Sequence, residues 1–368
     1  MKILLVTNDF PPRVGGIQNY LLNIYTRLPQ HEITVLAPAH PGDAAFDATL
    51  PFEVVRHPTR IYWPAPELRR VVAAMAKRVD ALVFGAVLPM NLVASSVDIP
   101  VVVHTHGFEV AWARVPALLQ ALRRIGERAS LVTVVSEFTA RFIRRAIGER
   151  APIHMLRTGV DLERFHPSVD GSSVRKRHGL DARPVVCCVS RLVSRKGQDQ
   201  LIRALPFVRE EIPDAALLLV GGGTARERLE RLAKAARVTG AVAFAGEVSE
   251  AELAAHYAAG DVFCMPVRSR YAGLEVEGLG LVYLEAQACG RPAITGDSGG
   301  APEAVVPGET GLVVGGTDTR GLADAVVRIL GDPPARERMG RAGRAFVEAN
   351  HRWADVASRY GAMLDEIL

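Results

Sequence analysis

Two glutamates, Glu277 and Glu285, have seven residues between them in Glu277-Gly278-Leu279-Gly280-Leu281-Val282-Tyr283-Leu284-Glu285. Gly278 and Gly280 mark a loop, and the apolar run from Leu281 reads as a helix. Backbone amides left open at a helix start can donate to sugar hydroxyls or phosphate oxygens. Glu277, just ahead of the helix, can accept from two hydroxyls at once. Glu285, expected about two turns into the helix on the same broad face, can reach a second group such as a ribose. The alternative for Glu285 is a solvent-facing helix position. Its apolar neighbours argue for a buried helix instead, and a buried carboxylate needs a partner.

A cluster of positive charge lies in Ser190-Arg191-Leu192-Val193-Ser194-Arg195-Lys196-Gly197, between an apolar run and a helix. At a strand end, Arg191 and Lys196 could neutralise a diphosphate, the arginine with paired donors and the lysine as a mobile point charge. A solvated surface turn would use the same residue types. Asn8-Asp9-Phe10-Pro11-Pro12-Arg13-Val14-Gly15-Gly16-Ile17 also joins a strand to a helix. Gly15 and Gly16 would let backbone amides approach a phosphate, or would serve a tight turn needing positive φ. This loop is neither a GxGxxG fingerprint nor a P-loop. In Gly246-Glu247-Val248-Ser249-Glu250, Ser249 can cap the next helix and the main chain at Val248 can read a base edge. His104-Thr105-His106 ends another apolar run, which puts His106 where ligands meet parallel sheets; a histidine there can equally be structural.

The elements that must carry these loops alternate strand and helix, twice over. Apolar strands are expected at Ile3–Thr7, Ile33–Ala37, Ala81–Phe84, Val101–His104 and Leu131–Val135. A second set is expected at Val185–Ser190, Ala216–Val220, Val242–Ala245, Val262–Met265, Ala293–Thr295 and Gly311–Val314. Amphipathic helices fall between them, among them Gln18–Leu28, Glu67–Arg78, Glu137–Ile147 and Asp199–Arg209. Uniformly apolar strands imply parallel sheets covered on both faces. Thr158–Pro167 and the polar stretch after it read as the linker. The fold class is therefore α/β, with two Rossmann-like doubly wound domains facing a central cleft, as 1–167 and 168–351.

The 368 residues suffice for two domains, and 49% of them are apolar. Four apolar residues at Ile3–Val6 are too few for a signal-peptide core or a membrane span. Cys187, Cys188, Cys264 and Cys289 show no metal-ligand spacing and are expected as reduced core thiols of a cytoplasmic protein. Residues 1–168 hold 19 Lys+Arg against 14 Asp+Glu, and the remainder 25 against 26. The first half is thus the candidate for an anionic surface, through the arginines of 114–150 and through Arg60, Tyr62, Trp63, Arg69, Arg70, Lys77 and Arg78. Ordinary solvated helix faces would look the same. Nucleic acid is disfavoured, because the arginines lack interleaved aromatics.

Taken together, Asn8–Gly16, Ser190–Gly197, Glu277–Glu285 and Gly299-Gly300-Ala301-Pro302-Glu303 resemble the retaining GT-B glycosyltransferases with a Glu-x7-Glu motif, over nearly the whole chain. The narrower likeness is to GDP-mannose-dependent enzymes acting on phosphatidylinositol mannosides, carried by Thr7–Pro12, Gly15–Gln18, Arg195–Asp199 and Val276–Gly280. The resemblance implies that Arg191 and Lys196 bind the donor diphosphate. It gives Glu277, with Gly278, Leu279 and Gly280, the sugar, Glu285 the ribose and Val248 the base. Gly15 and Gly16 would close over the phosphates, and His106 would lie near the transferred sugar. Asp9 and Gln18 are the candidates for acceptor contact, and helix 352–368 would return to the first domain. The implied reaction moves mannose to a glycolipid in an α-1,6 linkage with retention, without a metal or other cofactor, on the inner face of the membrane. A relative using a soluble acceptor, a sugar-nucleotide epimerase and a non-catalytic nucleotide-sugar binder are the competing readings. Residue chemistry alone names neither the base nor the sugar, and leaves oligomeric state open.

Overall fold

The computed structural model describes residues 1–59, 61–63, 65–87, 97–148 and 151–367. Its contacts divide the chain into two units, Met1–Gly159 with Trp353–Leu368, and Val160–Arg352. The first is built on seven parallel strands: β1 (Lys2–Val6), β2 (Glu32–Pro38), β3 (Glu53–His57), β4 (Ala81–Phe84), β5 (Val101–His104), β6 (Leu131–Val134) and β7 (Ile153–Met155). They lie in the order β3-β2-β1-β4-β5-β6-β7. The second is built on β8 (Val185–Val189), β9 (Ala216–Val220), β10 (Val242–Gly246), β11 (Val262–Met265), β12 (Ala293–Gly296) and β13 (Gly311–Val314), in the order β10-β9-β8-β11-β12-β13. Both orders reverse direction beside the first strand of the unit, as in doubly wound nucleotide-binding sheets. In such sheets the strand ends flanking the reversal, here those of β1 and β4 and of β8 and β11, are where ligands sit.

The apolar strands follow from two-sided burial. In β1, Leu4 and Val6 pack in one core cluster with Leu82 and Phe84, while Ile3 and Leu5 pack in another with Val83 and Tyr25. Alternate side chains thus serve opposite faces of one sheet. β3 and β7 were not expected from the sequence. They lie at the sheet edges, are only half-buried and carry Glu53, Arg56 and His154, so they lack the uniformly apolar signature.

The helix Trp353–Asp365 belongs to the first unit. Trp353, Val356, Tyr360 and Leu364 are buried along one stripe, each contributing about 1.5–3 kcal/mol by burial. Tyr360 Oη lies 2.9 Å from Tyr25 Oη, and Tyr25 Oη lies 3.0 Å from His104 Nε2. At Gly159, a Cβ would run into the Trp353 ring. Residues 160–167, assigned to the first domain from sequence, pack in the second unit. Phe165 lies in its core, and its carbonyl accepts from Arg344 NH1 at 2.7 Å.

Tyr62 does not face outward as expected. It is 2% exposed and belongs to the core, while its neighbour Trp63 is 67% exposed. Asn8 fixes this segment, accepting from the Tyr62 amide at 2.6 Å and donating to its carbonyl at 3.2 Å. Arg69, Arg70, Lys77, Arg78, Arg123, Arg124, Arg144 and Arg145 are exposed. Arg60, Glu149 and Arg150 lie outside the described residues. All four cysteines are buried and unpaired.

Candidate functional site

In the second domain the chain leaves β8 and crosses the strand ends as Ser190–Gly197. Gly197, at φ 80°, opens the helix Gln198–Glu211, and a Cβ there would strike the carbonyl of Pro266. Gln198 Nε2 donates to Ser190 Oγ at 2.8 Å and to the Arg191 carbonyl at 2.9 Å. Arg268, after β11, holds the same loop from the other side. Its amide donates to the Arg195 carbonyl at 2.9 Å, and its guanidinium donates to the two Asp199 oxygens at 2.9 and 3.0 Å.

So fixed, Lys196 keeps 11% of its side chain exposed and donates from Nζ to Glu277 Oε2 at 2.7 Å. Arg195 donates from NH1 to the same oxygen at 2.6 Å, and its Nε lies 3.5 Å from Glu275 Oε1. Glu277 is anchored through its main chain: its carbonyl accepts from the Gly300 amide at 2.9 Å, and its amide donates to Ser298 Oγ at 3.4 Å. Gly299, at φ 61°, passes so close to the Glu277 carbonyl that no Cβ fits. Burial pushes the Glu277 carboxyl up, but Lys196 and Arg195 outweigh it and hold the group below its ordinary range. Burial lowers the Lys196 ammonium against the pull of Glu277.

Arg191, expected beside Lys196 at the diphosphate, does not join it on Glu277. Arg191 is exposed at the end of β8 and forms no ion pair among the described residues. The 3-10 turn Ser194–Lys196 carries Arg195 and Lys196 to the carboxylate instead. Arg195 was passed over in the sequence. The available signal was Glu275, two residues before Glu277, because one guanidinium can span both carboxylates.

Gly280, at φ 91°, opens the helix Leu281–Ala288. Among the described residues, the amides of Gly278, Leu279 and Gly280 donate to nothing, so they remain available donors. Glu285 sits one turn into the helix rather than two and is 6% exposed. It accepts from Tyr257 Oη at 2.6 Å. Burial pushes its carboxyl up to about 7, against the Tyr257 bond and the charge of Arg164. Val248 is half-buried after β10, and Ser249 caps the next helix by accepting from the Glu252 amide at 3.3 Å.

The strand ends of the first domain bring together another polar set. Gln18 Nε2 donates to Asp9 Oδ1 at 2.8 Å, and burial raises the Asp9 carboxyl against the pull of Arg13. Gly15 is extended, at φ 170°, and Gly16 is not at positive φ. A Cβ on Gly16 would meet no atom within 4 Å. Neither glycine is therefore demanded by a left-handed turn. His106 Nε2 bonds the Gly85 carbonyl at 2.7 Å; a carbonyl only accepts, so this nitrogen carries the proton and Nδ1 stays an acceptor. Burial lowers the imidazole to about 4, which keeps it neutral at pH 7. The loop is held by Glu109, fully buried, whose carboxylate accepts from the His106 amide at 3.1 Å and the Gly107 amide at 2.8 Å. Burial pushes Glu109 up to about 7.

A sheet-end loop with a buried lysine and a half-buried arginine on one carboxylate, next to a helix start with open amides, is suited to an anionic, hydroxyl-rich ligand. The sequence comparisons give that chemistry a class: residues 172–346 match the profile described as Glycosyl transferases group 1, and residues 14–164 match Glycosyltransferase Family 4. A GDP-mannose-dependent alpha-(1-6)-phosphatidylinositol monomannoside mannosyltransferase of Mycolicibacterium smegmatis is 46% identical, over 98% of this chain and 98% of that protein. Its Mycobacterium tuberculosis counterpart is 44% identical over 99% and 98%. A Corynebacterium glutamicum enzyme for the monoacylated lipid is 43% identical over 97% and 96%. The chain belongs to the glycosyltransferase family that these mannosyltransferases form. Among solved structures, Anabaena HepE in complex with UDP shares the fold at a TM-score of 0.86 and 22% identity, with both chains covered in full. A sucrose-phosphate synthase of Thermosynechococcus elongatus does so at 0.80 and 24%, covering 100% of this chain and 98% of the other. Both sheets here are those of the GT-B glycosyltransferases.

Proposed function

We propose that this enzyme transfers mannose from GDP-mannose to a phosphatidylinositol mannoside, in an α-1,6 linkage and with retention of configuration. The observation that carries the proposal is identity of 43–46% to three relatives of that named activity over almost their entire length. The residues of the two sheet-end sites support the same reading, with these roles. Lys196 and Arg195, with exposed Arg191, hold the diphosphate; the open amides of Gly278, Leu279 and Gly280 and the Glu277 carboxylate hold the sugar. Glu285 takes the ribose, and the main chain at Val248 meets the base. The resemblance gives Gly15 and Gly16 to the donor phosphates, with open space beside Gly16, Asp9 and Gln18 to the acceptor, and neutral His106 to the transferred sugar.

As the bond from the sugar's C1 to the diphosphate oxygen breaks, its electron pair passes to that oxygen. The acceptor oxygen bonds C1 on the same face and gives its proton to the departing phosphate. Stabilising the leaving charge is the main task of the cations, and removing one such group costs about 3 kcal/mol of barrier. Because these side chains supply the positive charge, the reaction takes no metal. No helix among the described residues is long and apolar enough to cross a membrane. Exposed Ile61 and Trp63, followed in the chain by exposed Arg69 and Arg70, support contact with the cytoplasmic membrane surface by apolar and basic groups together. The test is a product assay with a panel of nucleotide sugars and monomannosylated phosphatidylinositol. GDP-mannose with that lipid should give the dimannoside; product from a different pair alone would overturn the proposal.

A further inference from the structure

After β11 the chain forms a hairpin whose tip serves none of the donor contacts. The main chains of Arg270 and Glu275 pair, the Arg270 amide donating to the Glu275 carbonyl at 3.0 Å and the Glu275 amide donating back at 3.2 Å. The tip turns through three residues in left-handed backbone: Tyr271 at φ 51°, Ala272 at φ 53° and Gly273 at φ 83°. Only glycine adopts such angles freely. Other residues stay there where the surrounding structure over-determines them, and they cluster at ligand sites. What this turn presents is the Tyr271 side chain, 65% exposed. Arg270 Cζ lies 4.6 Å from the centroid of its ring, and Arg270 NH2 donates to its hydroxyl at 3.1 Å. The guanidinium thus steadies the ring from one side and leaves the other face to solvent. We infer that this face is a platform for the acceptor: a polyhydroxylated six-membered ring of the acceptor headgroup stacks its C–H bonds on Tyr271.

This deepens the transfer reading above and rests on it. A chain of ion pairs ties the hairpin to the sugar site. Arg270 NH1 lies 3.5 Å from Glu275 Oε2, Glu275 Oε1 lies 3.5 Å from Arg195 Nε, and Arg195 NH1 donates to Glu277 Oε2 at 2.6 Å. Exposure rises along the chain, from buried Glu277 through half-buried Glu275 to exposed Tyr271. The hairpin therefore stands at the rim of the sugar site rather than inside it. The donor sugar's hydroxyls have Glu277 and the open amides of Gly278, Leu279 and Gly280. Tyr271, its hydroxyl already accepting from Arg270, adds an aromatic face instead. Such a face carries partial negative charge, and the C–H bonds of a polyol ring turn partial positive charge toward it. The acceptor oxygen must bond C1 of the donor sugar. The ring that bears this oxygen then lies within a ring's breadth of the donor sugar, where a side chain at the rim can reach it.

The test is steady-state transfer from GDP-mannose to monomannosylated phosphatidylinositol by the wild type, Tyr271→Ala and Tyr271→Phe. The deacylated headgroup serves as a competing ligand, and GDP-mannose is titrated calorimetrically into each protein. Tyr271→Ala should raise the acceptor KM and the headgroup's inhibition constant on the order of tenfold, with GDP-mannose affinity and circular dichroism unchanged. Tyr271→Phe keeps the ring face and should match the wild type. An acceptor KM that moves less than about threefold in Tyr271→Ala overturns the inference and leaves the transfer reading standing. So does a headgroup constant that stays put while the lipid KM rises, because the ring would then be touching acyl chain. Weaker GDP-mannose binding by Tyr271→Ala also overturns it, since the hairpin would then serve the donor. A wild type that makes no dimannoside removes the transfer reading and the inference with it. Should Tyr271→Ala not fold, Tyr271→Leu decides, being bulky and apolar without a ring face: an unchanged headgroup constant overturns the inference.

Discussion

Glu285 predicts how donor affinity depends on pH. Burial raises its carboxyl to about 7, so near neutrality the group is half protonated. On the proposed assignment, ribose hydroxyls donate to the ionised form, and only that fraction of the protein is ready to bind. With a pKa near 7, about a tenth is ionised at pH 6 and about nine tenths at pH 8, and the apparent dissociation constant scales inversely with that fraction. GDP-mannose should therefore bind about tenfold more weakly at pH 6 than at pH 8. GDP-mannose is the right ligand for the calorimetry, because a diphosphate esterified at both ends does not titrate in this range. Tyr257→Phe removes the hydroxyl that favours the ionised carboxylate, at 2.6 Å, so the midpoint should move upward. Glu285→Gln should bind more weakly, with no slope. A flat wild-type profile from pH 6 to 8, or a slope that survives in Glu285→Gln, would refute the assignment.

Lys196→Ala should lower the rate of mannosyl transfer on the order of a hundredfold by loss of leaving-group stabilisation, measured as kcat with circular dichroism unchanged; a loss below threefold would remove Lys196 from the chemistry. Gly16→Ala adds a methyl where nothing stands within 4 Å, inside the first turn of a helix. It should raise stability in urea by about 0.5–1 kcal/mol yet impair transfer, and full activity would show that no ligand uses the space. Glu109 has a folded-state pKa raised to about 7, so its contribution to stability is fully present below the unfolded value and is lost as pH rises through about 7. Over that span the loss is about 3 kcal/mol, and Glu109→Gln should be less pH-sensitive than the wild type between pH 5 and 8; parallel urea curves would contradict this.

The central strands were legible because both faces of each sheet are buried, leaving Ile3–Val6, Val185–Val189 and Ala216–Val220 without a polar residue. β3 and β7 escaped notice because an edge strand half in solvent tolerates Arg56 and His154. That Lys196 and Glu277 lie in loops beside strand ends could be anticipated from residue type and position; that they pair at 2.7 Å could not. The choice between Arg191 and Arg195 could not, since it turns on one 3-10 turn that rotates Ser194–Lys196 toward the carboxylate. Tyr62 and Trp63 show the same limit: adjacent aromatics in an irregular segment have no period to sort them, and the Asn8 bonds to the Tyr62 main chain settle which one is buried. Glu109 gave no sequence signal, because an acid three residues past a histidine looks like any helix-start carboxylate.

A crystal structure of the protein with GDP-mannose bears most directly on the donor site. The diphosphate should lie within hydrogen-bonding reach of Lys196 Nζ, with the Glu277 carboxylate turned onto sugar hydroxyls. A nucleotide sugar bound away from Ser190–Gly197, with Lys196 and Arg195 still closed on Glu277, would contradict the whole assignment.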